Sequence, residues 1–396
     1  MTNKIKNNFL SFFRKEWILL IILTIIFSDF LGTLGMYLGL LLVPLLLKRT
    51  NFFSHFNSSF VCLIFFSISY VISLYGNDLF GKANGLIIFY LIYHCLFYVI
   101  GRYLMSKWYD QTYLILFIII FSFAIPSVII VISDIIKNGF INVMRLIENE
   151  KGEYLAATLH GVKFSLGISC LGLIFAPTEN IIEKRYRLIF IIFGFICLIC
   201  NIHLLNRTGL IIIGFVFLTI LLSRIFFIGF KNNFIILFLF TILFFGFFSS
   251  SLGTKVLIGF NDRQEEQIFE SVAGGRGSRW SQGIDLIINK PFGGGNFLFG
   301  KRYYSHNFWL DVGVMGGIIP FVLLVIFTLI NININRLLIK KAFVFSFFYG
   351  SILLVLNIAF MLTFFVEPIL EGNSQYVYAY FMFVGMTSMV NKKTSF

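Results

Sequence analysis

The residues able to do chemistry crowd into one stretch of this chain, Gly274 to Gly317. It reads Gly274-Gly275-Arg276-Gly277-Ser278-Arg279-Trp280, then Lys290-Pro291-Phe292-Gly293-Gly294-Gly295, then Ser305-His306-Asn307, with Gly317 closing it. A guanidinium offers a planar fork that matches two phosphate oxygens, and glycine neighbours let the backbone approach as well. A histidine with an ordinary pKa near ~6.5 can accept a proton at neutral pH. Such cations and an imidazole, gathered where the chain leaves and re-enters an apolar phase, suit an anionic, lipid-linked substrate. Plainer readings stand beside these. Arg279, by helical spacing, also suits a headgroup contact, and a histidine at a membrane edge is more often a structural hydrogen-bonder. The glycine loop is not a nucleotide P-loop, because it has no Gly-Lys-Ser/Thr.

Arg207, in Asn206-Arg207-Thr208-Gly209, stands at the start of another apolar run. An arginine there either snorkels to headgroup phosphate or lines a cavity as a fixed cation. His160 and His203 also map to ends of apolar runs and are fallback candidates. Asp29 and Asp311 lie within or beside apolar runs and rank below the arginines, since Asp311 can pair with one of them. Cys197 and Cys200 have Cys-x-x-Cys spacing, but without a second ligand pair they read as packing residues rather than a metal site. All five cysteines fall in apolar segments, so no disulfide framework is implied.

The elements that must hold these groups are apolar helices. Of 396 residues 58% are hydrophobic and only 12% charged, with 53 Phe, and the mean hydropathy is +0.91. So few charges cannot cover a water-soluble surface of this length, and apolar runs of bilayer-crossing length recur from end to end. The expected fold is an all-α integral membrane protein. The net charge of +13 is spread over short connections in the manner of the positive-inside bias, not gathered into a nucleic-acid patch. Residues 17–47 read as a tight hairpin of two helices. Further runs fall at 59–75, 85–103, 113–133, 158–176, 187–204, 207–223, 234–252, 307–330, 343–365 and 375–390, about twelve spans in all. Both termini are expected in the cytoplasm, because the basic connections (Lys48/Arg49, Arg102/Lys107, Lys184/Arg185/Arg187, Arg224/Lys231, Arg336/Lys340/Lys341, Lys392/Lys393) then all lie inside. The chain divides into 1–252 (spans one to nine), one long outer loop at 253–306, and 307–396 (the last three spans). Within the loop, 261–270 reads as a surface helix and Trp280 to Ile288 as a short amphipathic helix at the interface, ended by Pro291 and Gly293–Gly295.

At this point the chain resembles the bacterial O-antigen polymerase and ligase superfamily of membrane glycosyltransferases. The likeness rests on Asn206-Arg207-Thr208-Gly209, Arg276-x-x-x-Trp280, Lys290-Pro-Phe-Gly-Gly-Gly295 and His306-Asn307-x9-Gly317-Ile-Ile. It covers residues 200–320 by motif and the rest by hydropathy. Pro320, where ligases usually carry Gly, Thr or Tyr, and the segment Phe365-Val-Glu367-Pro368-Ile-Leu-Glu371 are more similar to the polymerase (Wzy-type) branch. The resemblance implies transfer without metal or cofactor from a polyprenyl-diphosphate oligosaccharide donor to a second such lipid as acceptor. The site would face the periplasm from the bacterial inner membrane, with membrane lipids and a chain-length regulator as partners. Arg207 and Arg276 then stabilise charge on the leaving diphosphate, and His306 takes the proton of the attacking hydroxyl. Arg279, Asn307, Trp280 and Tyr304 contact substrate, with Tyr303 and Trp309 as further aromatics for stacking on sugars. The rival readings are a ligase passing polymer to the lipid A core, and a polysaccharide flippase. No repeat relates the two halves, which weighs mildly against a transporter.

Overall fold

The computed structural model describes residues 2–29, 31–50, 52–77, 87–140, 146–148, 154–229, 276–295, 297–298, 301–302 and 304–393, with four isolated positions at 246, 249, 253 and 254. The expected span at 234–252, apart from isolated positions, and the surface helix at 261–270 lie outside the described residues, as do Gly274, Gly275 and Tyr303. Fourteen helices are described: α1 Thr2–Ser28, α2 Thr33–Gly39, α3 Leu42–Arg49, α4 Ser58–Gly76, α5 Ile87–Lys107, α6 Thr112–Asn138, α7 Ala157–Ser169, α8 Ile181–His203, α9 Arg207–Ile228, α10 Arg276–Asn289, α11 Phe308–Gly316, α12 Ile318–Phe345, α13 Phe347–Val366 and α14 Ser374–Lys393. Two short antiparallel hairpins accompany them, β1 Leu146–Glu148 with β2 Tyr154–Ala156, and β3 Phe297–Leu298 with β4 Lys301–Arg302.

Among the described residues six helices are long and apolar enough to cross a membrane, and the chain is membrane-embedded and all-α in character. Large apolar side chains stand outward along them, Ile72 65%, Ile129 62% and Phe226 83% exposed. Water would penalise such a surface, whereas lipid covers it. The helix starts are written in the sequence. Asn57, Asn180, Asn206, Asn307 and Ser346 each turn a side-chain oxygen onto a first-turn N–H, satisfying donors that the helix itself leaves open.

The chain forms two compact units, one of Met1–Pro126, Arg279–Leu338 and Pro368–Phe396, the other of Ser127–Ser278 and Ile339–Glu367. In the first unit the basic connections meet at one end. Glu16, 2% exposed, takes a 2.5 Å ion pair from Arg49 and hydrogen bonds from the Tyr103 hydroxyl (2.8 Å) and the Trp108 indole (3.0 Å). Ser59 bonds Asn331 (3.1 Å), and Arg102 bonds Ser388 (2.9 Å), at the same end. Its opposite end holds Asn77, whose amide donates to Phe292 O at 2.8 Å. In the second unit, Glu183 accepts from Ser346 (2.8 Å), Arg187 donates to Ala176 O (2.8 Å) and Arg224 to Phe175 O (2.8 Å) at one end. Asp134, His160, His203, Arg207 and Glu367 occupy the other. Each unit therefore separates a basic end from a second end, as the charge alternation requires.

Two expectations are corrected. In the stretch 17–47 the chain turns back after α1 through positive φ at Asp29 (57°) and Gly32 (52°), but the returning arm is two short helices, α2 and α3, rather than one. Glu16 and Arg49 still close it, so both its ends share one level. The run 307–330 is not one span either. It breaks at Gly317 (φ 87°) into the nine-residue, wholly buried α11 and the 28-residue α12.

Candidate functional site

Arg207 is the first residue of α9, and the second unit builds a rigid mount for it. Helix α8 ends at His203, the chain turns through Leu204–Asn206 with Leu205 at φ 48°, and α9 begins. Asn206 Oδ1 accepts from Thr208 N (2.8 Å), and Asn201 Nδ2 donates to Asn206 O (2.8 Å). The Asn206 amide lies over Gly161, where a Cβ would come 1.8 Å from Nδ2, so only glycine leaves it room. His203 Nε2 meets Asp134 Oδ2 at 2.7 Å, Asp134 Oδ1 accepts from Asn138 (2.7 Å), and the Thr208 hydroxyl bonds Glu367 Oε1. Four helices, α6, α8, α9 and α13, thus converge on one turn through buried polar contacts. Such groups are costly in a membrane interior unless paired and are kept where they fix geometry. The Arg207 side chain itself is half-buried and engaged. Of the fallback histidines, His203 is fully buried and His160, 5% exposed, has Nδ1 2.9 Å from Ser127 Oγ. Neither presents its ring to solvent.

In the first unit the glycine-rich motif proves to be the clamp of α11. Gly294 N donates to Met315 O (3.1 Å), Gly295 N to Val314 O (2.9 Å), and Ile318 N to Pro291 O (2.8 Å). The loop after Lys290 therefore satisfies the carbonyls left open at the C-terminus of α11. A Cβ on Gly317 would fall 2.2 Å from Pro291 O, so the two backbones touch. Helix α10 lies against the same helix, burying Ile287 with Leu310 and Val314 and packing Trp280, Leu286 and Phe321 around them. Its apolar face is thus partly spent inside the protein.

The other end of α11 carries His306. Ser305, fully buried, donates its N–H (2.6 Å) and hydroxyl (2.7 Å) to Asp311 Oδ1, and Asn307 Oδ1 caps Leu310 N at 3.2 Å. Between these anchors His306 adopts φ 58°, a left-handed conformation uncommon for a side-chain-bearing residue, and stays half-buried. Held backbone of this kind gathers at functional positions. Asp311 thus pairs with Ser305 here. Trp309, 8% exposed, turns inward to Thr328 Oγ1 (2.9 Å), which removes it as a stacking surface for sugars. Behind α11 lies a narrow cavity lined by Tyr70, Tyr90, His94, Phe308, Val312 and Tyr378.

Arg276 opens α10 rather than lying in a turn before it, and its side chain is outside the described residues. Arg279 and Trp280 follow at helical spacing, both half-buried, and Tyr304 is half-buried beside Ser305. The structure thus joins Arg207 to Asn206, Thr208 and Glu367, and His306 to Ser305, Asn307 and Asp311. The sequence reading missed the mount around Arg207. Its only local sign was a set of polar residues (Ser127, Asp134, Asn201, His203) inside apolar runs. No family model matches the chain, and none of the curated proteins matches it.

Proposed function

We propose that the chain is a surface-polysaccharide polymerase. It joins polyprenyl-diphosphate-linked oligosaccharide repeat units at the periplasmic face of a bacterial inner membrane. The observation that carries the reading is the mounting of Arg207 and His306. Each is a half-buried residue whose chain neighbours are fixed by buried hydrogen bonds, at the end of its own unit away from the basic connections. About twelve spans and cytoplasmic termini belong to the same proposal.

In the proposed reaction the acceptor hydroxyl oxygen attacks the anomeric carbon of the donor. The bond from that carbon to the diphosphate oxygen breaks, and the diphosphate leaves on its lipid. Arg207 and Arg276 bind the charge that develops there, a contact whose loss typically costs ~10²–10³ in rate. His306 takes the hydroxyl proton. Asn307 fixes the backbone that presents His306, while Arg279, Trp280 and Tyr304 border the substrate.

Purified protein in proteoliposomes, supplied with a polyprenyl-diphosphate repeat unit and EDTA, should form polymer of increasing length. Transfer of polymer to a lipid A-core acceptor without elongation would mark a ligase. Movement of the lipid-linked unit across the bilayer without new glycosidic bonds would mark a flippase.

A further inference from the structure

Arg102 is a buried cation that the proposed reaction does not use. It lies on α5 and is 3% exposed. Its Nη1 donates to the Ser388 hydroxyl at 2.9 Å, and its Nε is buried with no hydrogen-bond partner. The ion pairs Arg49–Glu16 and His203–Asp134 use other groups. Glu16, the buried acid at the same end, is already saturated by Arg49, Tyr103 and Trp108. Among the described residues, the groups hydrogen-bonded around Arg102 are neutral. Ser388 donates to Gly385 O (2.9 Å) and lies 3.2 Å from the Tyr98 hydroxyl, which also reaches Asn57 Oδ1 (3.0 Å).

A buried guanidinium whose Nε has no partner is disfavoured. The negative end of the α5 dipole offsets little of that cost. Asn335, 2% exposed, sits one turn beyond Asn331 at the same end, and its Oδ1 is likewise unpartnered. Two buried polar side chains at the basic end of one bundle therefore remain incompletely satisfied. The surroundings favour a lipid. Arg14, Lys15 and Lys48 are exposed at that end, and neighbouring α4 turns Phe65 outward at 59% exposure. Basic clefts between spanning helices bind anionic headgroups, with phosphate on the guanidinium and acyl chains along the apolar faces.

We propose that Arg102 heads a phosphate site at the basic end of the first unit, filled by the headgroup of an anionic phospholipid. The test uses the full chain purified in neutral detergent. Wild type, Arg102→Met and, as an exposed control, Arg336→Met are compared by native mass spectrometry and by thermal unfolding. The probes are phosphatidylglycerol, phosphatidylcholine and inorganic phosphate. Wild type and Arg336→Met should retain phosphatidylglycerol over phosphatidylcholine and unfold at higher temperature with it. Arg102→Met should retain at least ten-fold less and show no such rise. Because the substitution also removes a buried charge, it should be at least as stable as wild type without lipid. Equal retention by wild type and Arg102→Met, or no preference over phosphatidylcholine, would overturn the site. So would an Arg102→Met protein that unfolds without lipid well below wild type, since the cation would then be satisfied within the protein. Stabilisation by inorganic phosphate equal to that by phosphatidylglycerol would overturn the lipid as occupant.

Discussion

Gly317→Ala tests the clamp that holds the His306 segment. At φ 87° and ψ −173° the residue lies where a side chain is strained, at about 1–3 kcal/mol. The added Cβ would also meet Pro291 O at 2.2 Å, the Phe292 carbonyl carbon at 2.7 Å and Gly293 N at 2.8 Å. All three are backbone atoms, so no rotamer change relieves the clash and the loop must lift. Lifting it breaks the hydrogen bonds of Gly294, Gly295 and Ile318, each worth about 0.5–1.5 kcal/mol. Reduced freedom of the unfolded chain returns only about 0.4–1 kcal/mol. A net loss of at least about 1.5 kcal/mol corresponds to roughly ten-fold or greater acceleration of local opening. Hydrogen exchange followed by mass spectrometry on peptides spanning 290–318 should show that acceleration, with α8 and α9 unchanged, and polymer formation should fall with it. Exchange at the wild-type rate would refute the reasoning, because the loop would then not depend on backbone contact at Gly317.

Other perturbations have equally definite outcomes. Glu16→Ala leaves the buried Tyr103 hydroxyl without its acceptor and Arg49 without its partner and should cost about 1–3 kcal/mol, read as a lower unfolding temperature in detergent; an unchanged midpoint would contradict the role given to Glu16. Thr208→Val or Glu367→Ala removes the bond between the Thr208 hydroxyl and Glu367 and loosens the head of α9. A displacement near 1 Å can cost ~10² in rate, so turnover by folded protein should drop by about that factor. Asp134→Ala strands a buried imidazole at about 1–3 kcal/mol, whereas Asp134→Asn keeps an acceptor and should recover most of the stability. Equal stability of the two would show that His203 does not need that oxygen.

Where the sequence was legible, a local rule sufficed. Apolar runs of spanning length gave the helices, asparagines before them gave the starts, and lysines and arginines marked one end of each unit. The amphipathic helix before Pro291 was readable for the same reason. What escaped was set by contacts between distant residues. Nothing near Gly317 announces that Pro291 lies against it, so a break between two helices read as one run. The triple glycine read only as the end of the amphipathic helix, and it also caps α11, a distant partner. Asn206 over Gly161, and Asp134 on His203, join positions 45 and 69 residues apart, which no hydropathy pattern encodes.

The most direct test of the central claim is the lipopolysaccharide banding pattern of a strain whose own copy is replaced by Arg207→Ala, Arg276→Ala or His306→Ala, with membrane levels matched by immunoblot. The account predicts that each variant reduces the ladder to a single repeat unit on the core. A normal ladder in all three would contradict it.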